Sequence, residues 1–262
     1  MVYDKIFSVI IMKERIYSIP LTDALHEGCG CILCKIEKKL DQDAVDYFLG
    51  PSLMEPDGRE ITNKSGFCRR HLEVMLDAGN RLGLALMLET HIKDLTGKFT
   101  LEKKSGAFKK GNDISGCAQK LKSIYDDCAV CNKINRQMKS VAENLVYLWN
   151  EEPDFRADFE NSQGLCLEHT ALVLSVCEGE LSAKKAQEFA ASLLNMQKAE
   201  FESIYDGLHN FTMSFDYRFK GELDEKSRTS VLSAAARLSK RLEQAESLSS
   251  MPSFSSPFPI MR

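Results

Sequence analysis

The chain has 262 residues, which is enough for one large domain or two small ones with a substantial buried core. Hydrophobic residues make up 44% and charged residues 27%, and these ordinary values exclude a largely disordered chain. The 34 lysines and arginines against 38 aspartates and glutamates give a net charge of −4, so the chain as a whole is not a basic nucleic-acid binder.

The beginning of the chain predicts neither export nor membrane insertion. Ile6–Met12 is apolar but short, and it lacks the small-residue cleavage site of a signal peptide. No run approaches the roughly 20 apolar residues of a membrane-spanning helix, so we expect a soluble, cytoplasmic protein with no membrane partner. Its nine cysteines should stay reduced there, and we interpret them first as metal ligands and second as redox groups.

Hydrophobic spacing predicts helices along the whole chain. Apolar residues recur at the helical period in five segments. These segments run from Cys34 to Leu49, from Leu72 to Lys98, from Cys131 to just before Pro153, over Thr170–Cys177 and over Ala183–Tyr205. Apart from a weak candidate at Ile6–Met12, no segment has the alternation of a β-strand. The sequence therefore predicts an all-α fold.

Several motifs occur twice in the same order. The pair Cys31-x-x-Cys34 recurs as Cys128-x-x-Cys131 at an offset of 97 residues. The later Gly-Phe-Cys-x-x-His at 66–71 recurs as Gly-Leu-Cys-x-x-His at 164–169, at an offset of 98. A repeat of this kind determines the organisation of the whole fold, so this pattern predicts a duplicated helical module.

The repeat and the local composition divide the chain into six predicted parts. These are an N-terminal segment 1–27, module 1 at 28–97, a Lys/Gly-rich linker 98–124, module 2 at 125–195, a C-terminal helical region 196–246 and a Ser/Pro-rich disordered tail 247–262. Within the C-terminal region, Ser227–Leu248 predicts an amphipathic helix available for a partner or for self-association, whose apolar stripe contains Leu232, Ala235, Leu238 and Leu242.

Each repeat supplies Cys-x-x-Cys followed by Cys-x-x-His, which are three sulfurs and one imidazole. This donor set is typical of a structural zinc site, in which four protein ligands fill the tetrahedral shell and no position is open for catalysis. We assign the ligands by repeat, as Cys31, Cys34, Cys68 and His71 for one site and Cys128, Cys131, Cys166 and His169 for the other. The spacing leaves open whether the two repeats exchange ligands.

The donor set is compatible with more than one metal centre. Two zinc ions per chain are the leading interpretation, while the same residues can also hold an iron–sulfur cluster or act as redox dithiols. Cys29, Cys117 and Cys177 have no counterpart in the other repeat, and Cys177 is expected to be a small buried side chain. Gly66 and Gly164, just before the second ligand pairs, are expected to need a positive φ or a close approach.

A third duplicated motif is Glu-Pro-Asp-x-Arg, at 55–59 and at 152–156. Proline suits the first position of a helix, and the acidic residues suit its first turn, so we interpret the motif as a helix start whose arginines pair with the carboxylates. The functional alternative is an acidic cleft between the modules, lined by Glu55, Asp57, Glu152 and Asp154.

Further motifs carry a family resemblance. They are Ile16-Tyr-Ser-Ile-Pro20, Tyr47-Phe-Leu-Gly-Pro51, Asn80–Leu86, Tyr147-Leu-Trp149 and Phe215-Asp-Tyr-Arg-Phe219. Together with the cysteine motifs, they make the chain resemble the DUF6062 family of uncharacterised bacterial proteins over about residues 12–220. This resemblance implies a cytoplasmic bacterial protein and carries no established activity.

No phosphate-binding glycine loop and no hydrolase or metalloprotease motif occurs, so no catalytic residue is assigned. The leading hypothesis is a zinc-binding interaction or regulatory scaffold with a protein partner or a second copy of itself. The alternative is an iron–sulfur or thiol-based redox protein. Nucleic-acid binding through the lysines of 98–110 is disfavoured by the acidic composition, and a small-molecule substrate is left open.

Overall fold

The computed structural model describes residues 17–28, 30–100, 113–216, 218 and 221–238. In chain order, the helices are α1 (17–26), α2 (Ile32–Leu49), a 3₁₀ helix (Pro51–Met54), α3 (Pro56–Ser65), α4 (Arg69–Asp77), α5 (Arg81–Thr96), α6 (Ile114–Asp126), α7 (Ala129–Glu151), α8 (Pro153–Glu160), α9 (Leu167–Glu180), α10 (Ala183–Met213) and α11 (Glu225–Leu238). No strand occurs within these described ranges, which confirms the all-α prediction. None of the described helices is long and apolar enough to cross a lipid bilayer.

Two helices were missed by the sequence prediction. Helix α1 lies in the predicted N-terminal segment, and it buries Leu21, Ala24 and Leu25. Helix α6 lies in the predicted linker, and it was missed because the segment before it is rich in lysine and glycine. That start is capped by Asp113, whose side chain accepts a hydrogen bond from the backbone N–H of Gly116 at 3.0 Å. The basic segment 101–112, the N-terminal residues 1–16 and the predicted tail lie outside the described residues.

The chain divides into two compact units, neither of which is a predicted module. Unit 1 combines Met1–Ile36 with Val141–Arg262, and unit 2 is Glu37–Ser140. The division therefore falls inside helices α2 and α7 rather than between the repeats. Each unit consequently contains part of both repeats, whereas the predicted modules 28–97 and 125–195 are contiguous.

In unit 2, the buried side chains recur at helical spacing. Phe48, Val45 and Leu40 lie on one side of α2, while Ile134 and Met138 lie on α7, and all five are at most 9% exposed. The ring of Phe48 contacts that of Phe67 edge to face, with centroids 6.2 Å apart. Each such side chain stabilises the fold by about 1.5–3 kcal/mol when it leaves water.

In unit 1, the core is built around Trp149 at the end of α7. Its ring packs edge to face on Phe189 of α10, with centroids 4.9 Å apart, and its indole N–H donates to Glu160 at 3.1 Å. The guanidinium of Arg156 lies over this ring, 4.0 Å from its centroid. The buried indole therefore has both an apolar contact and a hydrogen-bond partner, as a buried tryptophan requires.

The duplicated Glu-Pro-Asp-x-Arg motifs start helices, as predicted. Pro56 and Pro153 are the first residues of α3 and α8, and Asp57 and Asp154 lie in the first turns. The predicted pairing of the arginines with these acidic residues is wrong. Each arginine instead reaches a later helix, since Arg59 donates to the carbonyl of Leu86 at 2.8 Å, and Arg156 donates to Glu188 at 3.0 Å. The motif thus joins helices.

Helix α11 starts near the predicted position but buries a different face. Its buried residues are Ser227, Ser230 and Arg237, whereas Leu232 and Leu238 of the predicted apolar stripe are 41% and 60% exposed. Ser230 lies against Gly207 of α10, where a Cβ would come within 3.0 Å of the Ser230 Cβ. Two small residues therefore let the backbones of α10 and α11 approach closely. Leu242 lies outside the described residues.

Candidate metal centres

All eight predicted ligands come together in two clusters. Cluster 1 consists of Cys31, Cys34, Cys166 and His169, and cluster 2 consists of Cys68, His71, Cys128 and Cys131. Within each cluster, the four candidate ligand atoms lie within 4.8 Å of one another, so each cluster can hold a metal ion. Cluster 1 lies in unit 1, and cluster 2 lies in unit 2.

The grouping by repeat is wrong. Each cluster joins the Cys-x-x-Cys of one repeat to the Cys-x-x-His of the other. In cluster 1, the paired residues are 132 to 138 positions apart along the chain, and in cluster 2 the separation is 57 to 63 across the two motifs. The spacing within each motif fixes which side chains can share an ion, but it contains no information on which motif meets which.

Every ligand stands at the beginning of a helix. Cys31 and Cys128 directly precede α2 and α7, and Cys34 and Cys131 lie in the first turns. The other two motifs start α4 and α9, with Cys68 and Cys166 as their N-caps and each histidine at the third helical position. The unpaired N–H groups and the positive end of the helix dipole favour thiolates at such positions.

The distances between candidate ligand atoms are nearly the same in the two clusters. In cluster 1, His169 Nδ1 lies 3.4, 3.3 and 3.2 Å from the sulfurs of Cys31, Cys34 and Cys166. In cluster 2, the three distances from His71 Nδ1 are also between 3.2 and 3.4 Å. The sulfurs of Cys34 and Cys166 are 3.6 Å apart, and those of Cys68 and Cys131 are 3.9 Å apart.

These distances match the edges of one small tetrahedron. Zinc bound at about 2.3 Å to sulfur and about 2.0 Å to nitrogen separates two sulfurs by about 3.8 Å, and sulfur from nitrogen by about 3.6 Å. The distances between sulfurs are far longer than the roughly 2.05 Å of a disulfide bond. The eight cysteines that the structure describes are all free thiols. The donor atoms therefore fit a single tetrahedral ion in each cluster.

A carboxylate and an arginine support the histidine of cluster 2. Asp41 Oδ1 lies 2.8 Å from His71 Nε2, the ring nitrogen that faces away from the cluster. Arg70 donates to both oxygens of Asp41, at 3.3 and 2.8 Å. A carboxylate in this position orients a histidine ligand and makes its metal-binding nitrogen more basic. The sequence prediction missed Asp41, whose match at the 97-residue offset is Met138.

The turn before His71 is fixed by two further contacts. The carbonyl of Gly66 accepts a hydrogen bond from the N–H of Ala129 at 2.9 Å, which ties this turn to the beginning of α7. Gly66 has φ +62°, as predicted, and a Cβ there would lie 2.5 Å from Nε2 of His91. His91 is held by the carbonyl of Asn63, 2.8 Å from its Nδ1. Only glycine fits this position.

The corresponding turn in cluster 1 is fixed by a buried amide. Gln197 of α10 donates a short hydrogen bond to the carbonyl of Leu165 and another, at 2.6 Å, to the hydroxyl of Thr170. Thr170 in turn donates to the carbonyl of Cys166 at 2.9 Å. Gly164 has φ +72°, which confirms the prediction for the second glycine. A buried glutamine on an otherwise apolar helix face is a signal that sequence reasoning overlooked.

A buried arginine connects the C-terminal helix to the same turn. Arg237 of α11 is 4% exposed, and its Nη2 lies 3.2 Å from Glu200 and 3.5 Å from Gln163. Gln163 directly precedes Gly164, and a Cβ added at Gly30 would lie 4.0 Å from the side-chain oxygen of Gln163. Helix α11 therefore contributes a charged side chain to the support of cluster 1.

Without a metal, hydrogen bonds among the ligands separate their pKa values. In cluster 2, the hydrogen bond from Cys131 lowers the pKa of Cys128 to about 3, and the same bond raises the pKa of Cys131. Burial alone would lower the pKa of His71, but Asp41 and Cys128 outweigh it and raise that pKa to about 9.

Cluster 1 shows the same separation between its cysteines. Hydrogen bonds from Cys31 and Cys34 lower the pKa of Cys166, while the bond that Cys34 donates to Cys166 raises the pKa of Cys34. Each metal-free cluster therefore pairs a cysteine whose pKa is lowered with one whose pKa is raised. Because metals bind thiolates, a metal ion must displace protons from these sites.

Two further described cysteines, Cys117 and Cys177, lie outside these clusters. Cys177 is buried in α9 and contacts the carbonyl of Leu174, as expected for a small buried side chain. Cys117 is half-buried in α6. Cys29 lies outside the described residues.

Comparison with known proteins gives one kind of match. A family model described as a family of unknown function (DUF6062) matches residues 12–245. No curated protein and no solved structure matches the chain significantly.

Proposed function

The chain belongs to the DUF6062 family, and since no function is known for that family, we propose from the cluster geometry that it is a zinc protein with two structural sites. Three thiolates and one imidazole are the donor set of structural zinc. The observation that carries the proposal is the completeness of each cluster, because four protein ligands at tetrahedral distances leave no position for a substrate or a catalytic water.

The sites have a clear structural task in this topology. Each one joins helix starts that are far apart in sequence, and each lies within one compact unit. Structural zinc sites contribute about 10 kcal/mol or more of apparent binding free energy at neutral pH, which exceeds the net stability of many domains. We therefore infer that each unit depends on its own ion for its fold.

The order of the helices supports the proposed duplication. Helices α2, α3, α4 and α5 follow the motifs of the first repeat, and α7, α8, α9 and α10 follow those of the second. If two copies of one module exchange their ligand pairs reciprocally, each copy completes the site of the other. Such reciprocity is typical of two-fold pairing between identical chains, and here it would occur within one chain.

We propose that the zinc-bound protein acts as an interaction or regulatory scaffold in a reducing compartment, consistent with the cytoplasm. The free cysteines support the compartment. Exposed apolar residues support a protein partner or self-association. In unit 2 they include Leu82, which is 73% exposed, and Ile114 and Tyr125 of α6, which are 74% and 76% exposed. Helix α6 has no buried residue.

The first experiment is a metal analysis of the full chain. The protein is purified without oxygen and without metal-affinity resin, and zinc, iron and acid-labile sulfide are measured per chain beside the visible spectrum. We expect two zinc ions and a colourless solution. Iron with sulfide and broad visible absorption would overturn the proposal in favour of redox chemistry. The donor atoms around a multi-iron cluster lie further apart than the four donor atoms of each cluster do here.

A further inference from the structure

Both metal clusters are assembled from two parts of the chain. We call residues 1–100 the first half and residues 113–262 the second half. In cluster 1, Cys31 and Cys34 belong to the first half, and Cys166 and His169 belong to the second half. Cluster 2 takes its Cys-x-x-His from the first half and its Cys-x-x-Cys from the second half. Each half therefore carries four ligands but cannot complete either cluster alone.

Each half also has helix packing of its own. In the first half, α3 packs on α5, where Arg59 donates to the carbonyl of Leu86 at 2.8 Å and to the hydroxyl of Thr90 at 3.1 Å. In the second half, α9 and α11 both pack on α10, and Arg156 of α8 donates to Glu188 of α10 at 3.0 Å. These contacts form within one half, so they do not depend on which copy of the chain supplies the other half.

In both units, further contacts beside the ligands join the two halves. In unit 2, the carbonyl of Gly66 accepts a hydrogen bond from the N–H of Ala129 at 2.9 Å. In unit 1, Nε2 of His26 lies 3.4 Å from a carboxylate oxygen of Asp158. These residues and the ligands are identical in every copy of the chain. The first half therefore meets the same side chains on the second half of another copy as it meets on its own.

The chain passes from the first half to the second half once. Along the sequence, the first-half ligands end at His71 and the second-half ligands begin at Cys128, 57 positions later. Because there is a single crossing, two copies can exchange halves with one connection running from half to half in each copy. Exchange of an identical part between copies is a low-cost route to a dimer.

From these observations we propose that a second copy of this chain is its partner, in a reciprocal dimer where the first half of each copy shares both clusters with the second half of the other. Each cluster then has the same four ligands, two from each copy. This inference rests on the proposed function, because zinc joins the halves. A covalent connection raises the effective concentration of two partners to about millimolar, so monomers prevail in dilute solution and the dimer forms when concentrated metal-free chains take up zinc.

The test mixes two full-length variants, each of which lacks one ligand in both clusters. C34S/C68S has lost first-half ligands, and C131S/C166S has lost second-half ligands. The variants are unfolded with chelator and reductant, mixed in equal amounts, refolded with zinc and dialysed against a chelator. Neither variant alone should retain zinc. The mixture should retain about one zinc ion per chain, because the intact first half of C131S/C166S completes both clusters with the intact second half of C34S/C68S.

A matched mixture is the control. C34S/C166S lacks ligands only in cluster 1, and C68S/C131S lacks them only in cluster 2, so each should retain one zinc ion alone. Exchange of halves between these two variants creates only incomplete clusters, so mixing them should add no zinc. If mixing C34S/C68S with C131S/C166S also adds none, the inference is wrong. Zinc retained by C34S/C68S or C131S/C166S alone in a dimer also overturns it, because like halves then pair with each other.

The unmodified protein decides the matter if the variants do not refold. Metal-free chains are refolded with zinc at increasing protein concentration and analysed by native mass spectrometry. The dimer with four zinc ions should contain about 1% of the chains after refolding at about 10 µM, and about half of them at about 1 mM. Monomers with two zinc ions at every concentration refute only the present inference, whereas protein that binds no zinc refutes the proposed function.

Discussion

Cluster 1 and cluster 2 have the same ligands at the same helix positions, but different residues support them. In cluster 2, the support is charged and local, since Asp41 and Arg70 fix His71. In cluster 1, the backbone turn before the ligand is held from later helices, by Gln197 of α10 and through Gln163 by Arg237 of α11. The ligands determine which metal can bind, and the surrounding residues determine how tightly it is held.

Chain topology contributes little to this difference. Cluster 1 joins Cys34 to Cys166 across 132 positions, and cluster 2 joins Cys68 to Cys131 across 63. Doubling a loop costs only about 0.6 kcal/mol of closure entropy, which is small beside the roughly 10 kcal/mol of a structural zinc site. In sequence, cluster 2 also lies within the loop that cluster 1 closes, so forming cluster 2 first shortens the loop that cluster 1 must close. Differences between the clusters must therefore come from their immediate neighbours.

The largest expected effect tests the exchange of ligands between repeats. In the double variant C34S/C166S, both changes fall in cluster 1, so the protein should retain one zinc ion after dialysis against a chelator. In C34S/C68S, the changes fall in different clusters, so the protein should retain none. Ligand grouping by repeat gives the opposite pattern, with one zinc ion kept by C34S/C68S. The matched variant C68S/C131S should behave as C34S/C166S does.

A second prediction concerns pH and cluster 2, measured in the C34S/C166S background. Without metal, His71 is protonated below its pKa of about 9, and that proton competes for the ligand nitrogen. Raising the pH from 6 to 9 should therefore increase zinc affinity, by about tenfold per pH unit for each competing proton. Above pH 9, the slope of the logarithm of zinc affinity against pH should decrease by one, because His71 no longer has to release a proton. Competition with a coloured chelator measures this, and a slope that is unchanged through pH 9 would contradict the assignment.

A third prediction isolates the contribution of the carboxylate that supports His71 in cluster 2. In the same background, Asp41→Asn keeps the shape of the side chain but removes its charge, so zinc affinity should fall by about 10- to 100-fold. The pH at which the slope of zinc affinity against pH changes should also be lower, because Asp41 raises the pKa of His71. Asp43→Asn is the control, since Asp43 is an exposed residue on the same helix. An equal loss in both variants would show that only net charge matters.

The sequence predicts the ligands better than their arrangement. Local spacing identifies all eight side chains, because a motif of four residues fixes its own geometry at a helix start. Which motifs meet depends on long-range packing, and no short pattern records it. Asp41 was overlooked although it lies four residues before the buried Val45, where a carboxylate on an apolar helix face indicates a buried partner. Helix α6 was missed because its start follows a segment rich in lysine and glycine.

The last and smallest effect compares the two glycines before the histidine motifs. Gly164→Ala should cost about 1–2 kcal/mol, since alanine resists the left-handed backbone and the nearest side-chain atom would be 3.8 Å away. Gly66 has φ +62° and ψ −151°, a region almost restricted to glycine, so Gly66→Ala should cost up to about 3 kcal/mol in denaturant unfolding of the zinc-loaded protein.

The crowding by His91 makes this last comparison decisive. The new methyl group of Gly66→Ala must displace the imidazole, so His91→Ala should recover part of the loss for Gly66→Ala and none of it for Gly164→Ala. Equal costs for the two glycine variants, unaffected by His91→Ala, would mean that backbone conformation alone selects both glycines. A larger cost for Gly66→Ala than for Gly164→Ala, partly recovered by His91→Ala, would instead show that side chains that differ between the repeats determine how each turn presents its ligands.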